Sequence, residues 1–196
     1  MDISAVDCHE MPEERWANLL ANSDEAWLFH TMAWLRMTGE LYGLQNILFI
    51  ASEGDELLAA FPIQSDGHQA WSIRMGSAGP ILRKTLAAKR RHRIETAMTQ
   101  AVVTYGHEMQ WSRLSCSLPS LASRNIGNIR GVNPLALCGW TDISTHTRIL
   151  DLSQSEAELR ASLAHDARRS LRVAEETGYV VARESWDAVH AEYYRI

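Results

Sequence analysis

The feature that most limits the fold is a pair of apolar runs, Asn46–Ala51 and Leu57–Gln64, separated by Glu53-Gly54-Asp55. Runs of this length joined through a Gly/Asp turn predict two antiparallel strands in a hairpin. A third strand is predicted over Gln69–Met75, after the Asp66-Gly67 turn. Helical periodicity surrounds these strands. One helix is predicted from Pro12 to about Asn22, with Trp16, Leu19 and Leu20 on one side. Another follows Thr31, its cap, with Trp34, Leu35, Thr38, Leu41 and Tyr42 on a shared face and Gly43 past its end. Between the two helices, Trp27-Leu28-Phe29 reads as a short strand. A hairpin set among helices excludes a purely parallel doubly wound sheet, so the expected class is mixed α/β of the α+β kind.

The second half alternates in the same way. A long helix is predicted from about Thr85 to Tyr105, because Ile94, Ala97, Met98, Ala101, Val102 and Tyr105 recur at helical spacing, and Gly106 closes it. Arg113–Leu118 and Thr147–Leu152 read as strands, with a loop or short helix over Pro119–Trp140 between them. Ser155-Glu156-Ala157-Glu158 matches a capping box and opens a helix that ends at Gly178. Leu159, Leu163, Ala167, Leu171 and Ala174 are its expected buried stripe. Tyr179–Arg183 reads as a strand and Trp186–Ile196 as the start of a further helix, with Trp186, Val189 and Tyr193 in a stripe. No Gly, Asn or Pro stop signal follows, so the chain reads as cut there; the alternative is a terminal helix that docks and ends.

Composition narrows the chemistry. With 46% apolar residues and 196 residues in all, the chain can bury a core, as one domain or as one domain and the beginning of a second. No window approaches a membrane span of about 18 apolar residues. The acid-rich N-terminus lacks the basic start of a secretory signal, and Cys8, Cys116 and Cys138 are too far apart for a zinc knuckle or a disulfide framework. The expected location is therefore cytoplasmic, and no metal site is expected. There is no GxSxG elbow, no HExxH and no GxxxxGK[ST] loop, so serine-hydrolase, zincin and P-loop chemistry are excluded.

The net charge of −5 conceals an uneven distribution. Residues 1–26 carry seven acids and one base, Arg15, whereas no acid lies between Asp66 and Glu95. Arg74, Arg83, Lys84, Lys89, Arg90, Arg91 and Arg93 fill that gap, a block that reads as an anion-binding surface or as a solvated helix face. Nucleic-acid binding through it ranks last, since no aromatic residues interleave the basic ones, and no DNA partner is expected. Arg74-Met75-Gly76-Ser77-Ala78-Gly79-Pro80 reads either as a phosphate-holding glycine turn or as a tight strand exit. On the 155–177 helix, His165, Arg168, Arg169 and Arg172 share a side. Arg168, Arg169 and Arg172 are candidate phosphate ligands, since guanidiniums grip phosphate bidentately; local pairing of Arg169 with Asp166 and of Arg172 with Glu175 or Glu176 is the competing reading.

Several of these segments together resemble the GNAT-fold, Fem-like acyltransferases, which include peptidoglycan-bridge aminoacyltransferases and acetyltransferase-like proteins of polysaccharide gene clusters. The resemblance rests on Phe29-His30-Thr31-Met32-Ala33-Trp34-Leu35, Ile47–Ala51, Leu57–Ile63 and Gly76-Ser77-Ala78-Gly79-Pro80. Its most specific part is Arg148-Ile149-Leu150-Asp151-Leu152-Ser153, followed by Glu156–Leu159 and by Ala167-Arg168-Arg169-Ser170-Leu171-Arg172-Val173-Ala174-Glu175-Glu176-Thr177-Gly178. It implies two GNAT-like repeats, each a mixed sheet flanked by helices. Residues 1–142 would be the first, and 143–196 the truncated start of the second. The implied activity is transfer of an aminoacyl or acetyl group to an amine or hydroxyl of a bacterial cell-envelope or polysaccharide precursor. The implied donor is acetyl-coenzyme A or an aminoacyl-transfer RNA, though no cofactor is assigned to this segment and no catalytic residue carries over. A nucleotide- or lipid-linked sugar is the implied acceptor, with Arg168, Arg169 and Arg172 facing it, and the protein would lie peripheral to the inner membrane. The alternative is a non-catalytic GNAT-like module that binds an anionic ligand.

Overall fold

The sheet begins earlier than the sequence reading places it. In the computed structural model, which describes residues 1–120, 122, 133–144 and 151–195, strand β1 (Asp2–Asp7) pairs antiparallel with β2 (Gln45–Glu53). β2 then pairs with β3 (Glu56–Ser65) in the expected hairpin, Glu53 opposite Glu56, with Gly54 in the left-handed region at φ 58°. β4 (Gln69–Trp71) and β6 (Arg113–Ser115) extend the sheet in the order β1-β2-β3-β4-β6, and β5 (Ile81–Leu82) also pairs with β3. The β4/β6 pair is parallel, which requires a crossover, and the long helix α3 (Ala88–Glu108) supplies it.

Continuous apolar runs, rather than strict alternation, mark strands covered on both faces. Leu48 and Ile50 pack with Trp16, Leu19 and Leu35 of helices α1 (Glu13–Ala21) and α2 (Met32–Tyr42). On the opposite face Ile47, Phe49 and Phe61 pack with Ile94, Met98 and Val102 of α3. The result is a helix–sheet–helix sandwich, of mixed α/β class as expected. Burying each of the three α3 side chains contributes about 1.5–3 kcal/mol. Thr31 caps α2 as the sequence indicates, its Oγ1 accepting from the Trp34 N–H at 3.3 Å, and Gly43 ends the helix at φ 63°. The buried face of α2 is Met32, Leu35, Thr38 and Gly39, whereas Leu41 is exposed.

Other expectations are corrected. Trp27-Leu28-Phe29 is no strand; Leu28–His30 forms a 3-10 turn, because the Trp27 N–H donates to His30 Nδ1 and closes the chain on itself. The third strand stops at Trp71, where the Ser72 N–H turns to Ser115 O and the chain leaves the edge of β3. α3 starts three residues later than expected and runs through Gly106, where a side chain would press on the Trp111 ring; Met109 is its cap. The strand Arg113–Leu118 keeps only its first three residues.

The chain divides into two compact units, Met1–Thr147 and Arg148–Ile196. The predicted strand at Thr147–Leu152 lies outside the described residues up to position 150, and Asp151 and Leu152 are not in a strand. In the second unit the single expected helix is two, α4 (Glu156–Ser162) and α5 (His165–Glu176), broken where Leu163 and Ala164 are extended. The Ser155/Glu158 capping box is present. Leu159, Leu163, Leu171 and Ala174 are only half-buried and Ala167 is exposed, so the expected buried stripe has no cover within this unit. Tyr179–Arg183 is irregular, with no partner strand among the described residues, and α6 (Trp186–Tyr193) follows. No helix among the described residues is long and apolar enough to cross a membrane.

Gln64 is fully buried and hydrogen-bonds α2, β2 and residue 74 at once. Gln64→Leu strands those partners and is expected to lower unfolding stability by about 2–4 kcal/mol. Leu137→Ala, at a residue 72% exposed, is expected to change it by less than about 0.5 kcal/mol. Urea denaturation of the two variants checks the contrast.

Candidate functional site

The glycine segment 74–80 is held from outside by the helical layer. The Arg74 N–H donates to Gln64 Oε1 at 2.9 Å, and its guanidinium lies 4.5 Å from the centre of the Trp71 ring. Trp34 Nε1 donates to Met75 O at 3.0 Å. Gly76, at φ 113°, has no room for a side chain, since a Cβ would sit 2.7 Å from the Phe29 ring. β5 follows the segment, so no helix N-terminus stands directly behind it. This is the tight strand exit and not a phosphate cradle.

His30 staples the far end of that segment. Its Nδ1 accepts from the Trp27 N–H, so Nε2 carries the proton and donates to Gly79 O at 3.0 Å. The backbone carbonyl of His30 in turn accepts from Trp16 Nε1 at 2.7 Å. Burial, partly offset by these backbone bonds, pushes the imidazole down to about 4. His30 is a neutral structural group.

Half of the basic block at 83–93 is consumed by ion pairs. Arg83 pairs with Glu56 at 3.0 Å and donates to Leu57 O; Arg90 meets Glu53 at 2.7 Å; Arg91 is paired with the buried Glu25. These bonds fasten the start of α3 to the hairpin and to the segment after α1. Lys84, Lys89 and Arg93 remain exposed and have no ion pair among the described residues.

On α5, Arg168, Arg169 and Arg172 are all exposed. The local pairs that could have explained them do not form. Glu175 instead meets Arg160 of α4 at 2.8 Å, and Asp166 faces His165 Nδ1 at 3.4 Å. Among the described residues none of the three arginines meets a carboxylate, and Arg168 donates only to Ala161 O at 3.3 Å. Arg169 borders a shallow hollow of about 420 Å³ with Asp166, Ser170 and Tyr179; Arg168 and Arg172 do not.

One concavity of the first unit was missed in the sequence reading. A cavity of about 930 Å³ opens in the first unit where β4 and β6 end, walled by α3 and by residues 133–144. Ser77, Thr96, Thr99, Gln100, Ser115 and Ser117 give it a hydroxyl and amide lining, with Trp71 and Trp140 beside them. Among the described residues Arg113 is the one lining residue with a charged side chain, and no Asp, Glu, His or Lys lines the cavity. Cys116 and Cys138 also line it, and burial pushes the Cys116 thiol up to about 12, which leaves it protonated and unreactive. Thr99 and Trp140 are lining residues, but Thr99 Oγ1 and Trp140 Nε1 are themselves shut off from the open space and have no hydrogen-bond partner. The available sequence signal is Thr96, Thr99, Gln100 and Val103, at i, i+3, i+4 and i+7 on α3 beside the apolar Ile94/Met98/Val102 stripe.

Asp7, Cys8 and His9, at the end of β1, bring one ligand atom each within 4.8 Å of one another. Cys8 is fully buried, its thiol is pushed up by burial and by Asp7, and the Arg36 guanidinium beside it disfavours a cation there.

No family model matches the chain, and no curated protein matches it. Among solved structures, a ribosomal-protein-alanine N-acetyltransferase from Brucella melitensis biovar Abortus is similar at 13% identity and TM-score 0.44, over 76% of this chain and 100% of that one. An aminoglycoside antibiotic 6'-N-acetyltransferase from Acinetobacter haemolyticus is similar at 12% identity and TM-score 0.44, over 77% and 100%.

The depressed His30 pKa sets a pH dependence. Unfolded, the ring takes a proton near 6.5; folded, it resists until about 4. The neutral ring's contribution is therefore complete above pH 6.5 and is lost as pH falls through that window, to a total of about 3 kcal/mol. His30→Gln is expected to flatten the stability profile between pH 6.5 and 4, and denaturation at stepped pH reads it.

Proposed function

We propose that the chain takes part in acyl transfer, with the cavity of the first unit holding the reacting acyl-bearing substrate. The observation that carries this reading is the lining of that cavity. Its described residues Ser77, Gln100, Ser115 and Ser117 bring neutral hydrogen-bonding groups to a carbonyl oxygen and to the oxyanion it becomes. In the step, an amine nitrogen or hydroxyl oxygen attacks the acyl carbon, the bond to the donor's sulfur or oxygen breaks, and the nucleophile's proton leaves to water. The described lining, which holds no carboxylate or imidazole, would perform this by positioning and by oxyanion stabilisation, with no covalent intermediate on the protein. Desolvation in such a pocket also favours the neutral, nucleophilic form of an amine.

The resemblance to Fem-like GNAT acyltransferases supports the same reading and supplies its finer terms. The donor would be acetyl-coenzyme A or an aminoacyl-transfer RNA, and the acceptor a nucleotide- or lipid-linked sugar of the bacterial cell wall, in the cytoplasm. Arg168, Arg169 and Arg172, exposed and without carboxylate partners among the described residues, suit the diphosphate of that acceptor. A second reading, a binding module for an anionic ligand without catalysis, is favoured by the same three guanidiniums, which meet no carboxylate among the described residues, and by a described cavity lining without Asp, Glu, His or Lys.

Two measurements separate the readings. Incubation with acetyl-coenzyme A and an amino sugar, followed by thiol release, is expected to show turnover if the chain transfers acetyl groups; binding without thiol release supports the module. The Arg168→Ala/Arg172→Ala pair is expected to weaken binding of a uridine-diphosphate-linked sugar about tenfold or more. Unchanged affinity removes α5 from the acceptor site.

A further inference from the structure

We infer that the outer face of α2 is a self-association surface, on which a second copy of this chain pairs about a two-fold axis with the two α2 helices antiparallel.

The helix is apolar on more sides than the sheet can cover. Met32 and Leu35 lie in the core and Thr38 is buried beside them. The opposite side carries Ala33, Met37 and Leu41 at i, i+4 and i+8, with Trp34 along its border. Met37 is 45% exposed and Leu41 65%. Only Arg36 and Glu40 of its eleven residues are charged. A surface helix normally turns a polar side to water, and one that is apolar all round is covered. The apolar surface also continues past the helix. Trp34 packs on Phe29 with ring centres 4.9 Å apart, its indole holds Met75 O, and the Tyr42 hydroxyl donates to Met75 Sδ at 3.8 Å. Connected apolar surface of this kind marks a contact site.

That face is complementary to itself. Under a two-fold axis residue i meets j and j meets i. With Met37 on the axis, Ala33 of each copy lies opposite Leu41 of the other, a small side chain beside a large one. The charges agree as well. Glu40 is exposed and meets no cation among the described residues, because Arg36, one turn before it, is paired with Glu13 of α1. In the antiparallel pair Glu40 stands level with residue 34 of the other copy, about 3 Å along the axis from Arg36 there. The Arg36 side chain is 31% exposed, and a guanidinium has more N–H groups than its bond to Glu13 uses. A lipid surface would cover the apolar side chains but strand the Glu40 carboxylate. The face is smaller than the roughly 20–30 residues a side of a standard interface, so the association belongs to the weak, reversible class. Pairing also covers Trp34, whose bond to Met75 fastens the segment that carries Ser77 into the cavity lining.

Sedimentation of the whole chain over a range of micromolar concentrations tests the pairing. The mass is expected to rise from 22.1 kDa toward twice that value and to stop there. Met37→Glu sets two carboxylates together on the axis and is expected to weaken association about tenfold or more. Glu40→Lys, which sets like charges against Arg36 at two symmetric places, is expected to weaken it about threefold or more. Both replace exposed side chains, so circular dichroism is expected to stay unchanged. Met37→Cys, with diamide as oxidant, is expected to give a disulfide-linked dimer that the unsubstituted chain does not give. Val181→Lys, in the second unit, is expected to leave association as it was. A chain that stays monomeric throughout overturns the inference, as does a mass that climbs past two copies. So does a dimer that survives both Met37→Glu and Glu40→Lys, one that Val181→Lys abolishes, or one that Met37→Cys fails to link.

Discussion

Gln64 lies on β3, fully buried, and its amide reaches three other parts of the first unit. Nε2 donates among Leu35 O and Thr38 Oγ1 of α2 and Asn46 Oδ1 of β2, while Oε1 accepts the Arg74 N–H. Two hydrogens shared among three acceptors fix the side chain from several directions. The stretch between β4 and β5 is fastened at that point, because the chain leaves the ladder of β3 after Trp71 and rejoins it only at Ile81. His30 supplies a second fastening, at Gly79. Together they place the exit of β4 beside β6, and the cavity opens where those two parallel strands end.

What the sequence reveals follows from how local the determining forces are. The hairpin was legible because its apolar runs and its Gly54 turn lie within about twenty residues of each other. Strand β1 was not, since Asp2-Ile3-Ser4-Ala5-Val6-Asp7 is half polar and its pairing with β2 joins segments some forty residues apart. Trp27-Leu28-Phe29 misleads because three apolar residues carry no period, and the turn is set by the imidazole of His30. The break at Leu163 and Ala164 has no Gly or Pro to announce it. Of the candidate site residues, the arginines of α5 were legible as a charged strip. The cavity was not, because Thr96, Thr99 and Gln100 on α3 resemble an ordinary solvated face until β4, β6 and residues 133–144 are placed around them.

Charge served two purposes in this chain, and only geometry separates them. Arg83, Arg90 and Arg91 look in sequence like a binding patch, yet each is matched to an acid far away, at Glu56, Glu53 and Glu25. They act as braces for α3, and at exposed positions such braces contribute less than about 1 kcal/mol apiece. Arg168, Arg169 and Arg172 have acids close by in sequence and pair with none of them, so proximity along the chain was the poorer guide in both places.

The order of the sheet carries a consequence for solubility. Its two long strands, β2 and β3, are interior, while the rims are β1, with an aspartate at each end, and β6, three residues long. Acid-tipped or very short rims are poor templates for strand addition by another molecule. The liability lies instead outside the sheet, at Tyr179-Val180-Val181, where β-forming side chains stand 81%, 86% and 100% exposed with no partner strand among the described residues. Strand-by-strand aggregation of this polypeptide would start from that short apolar stretch, and the well-made sheet would take no part in it.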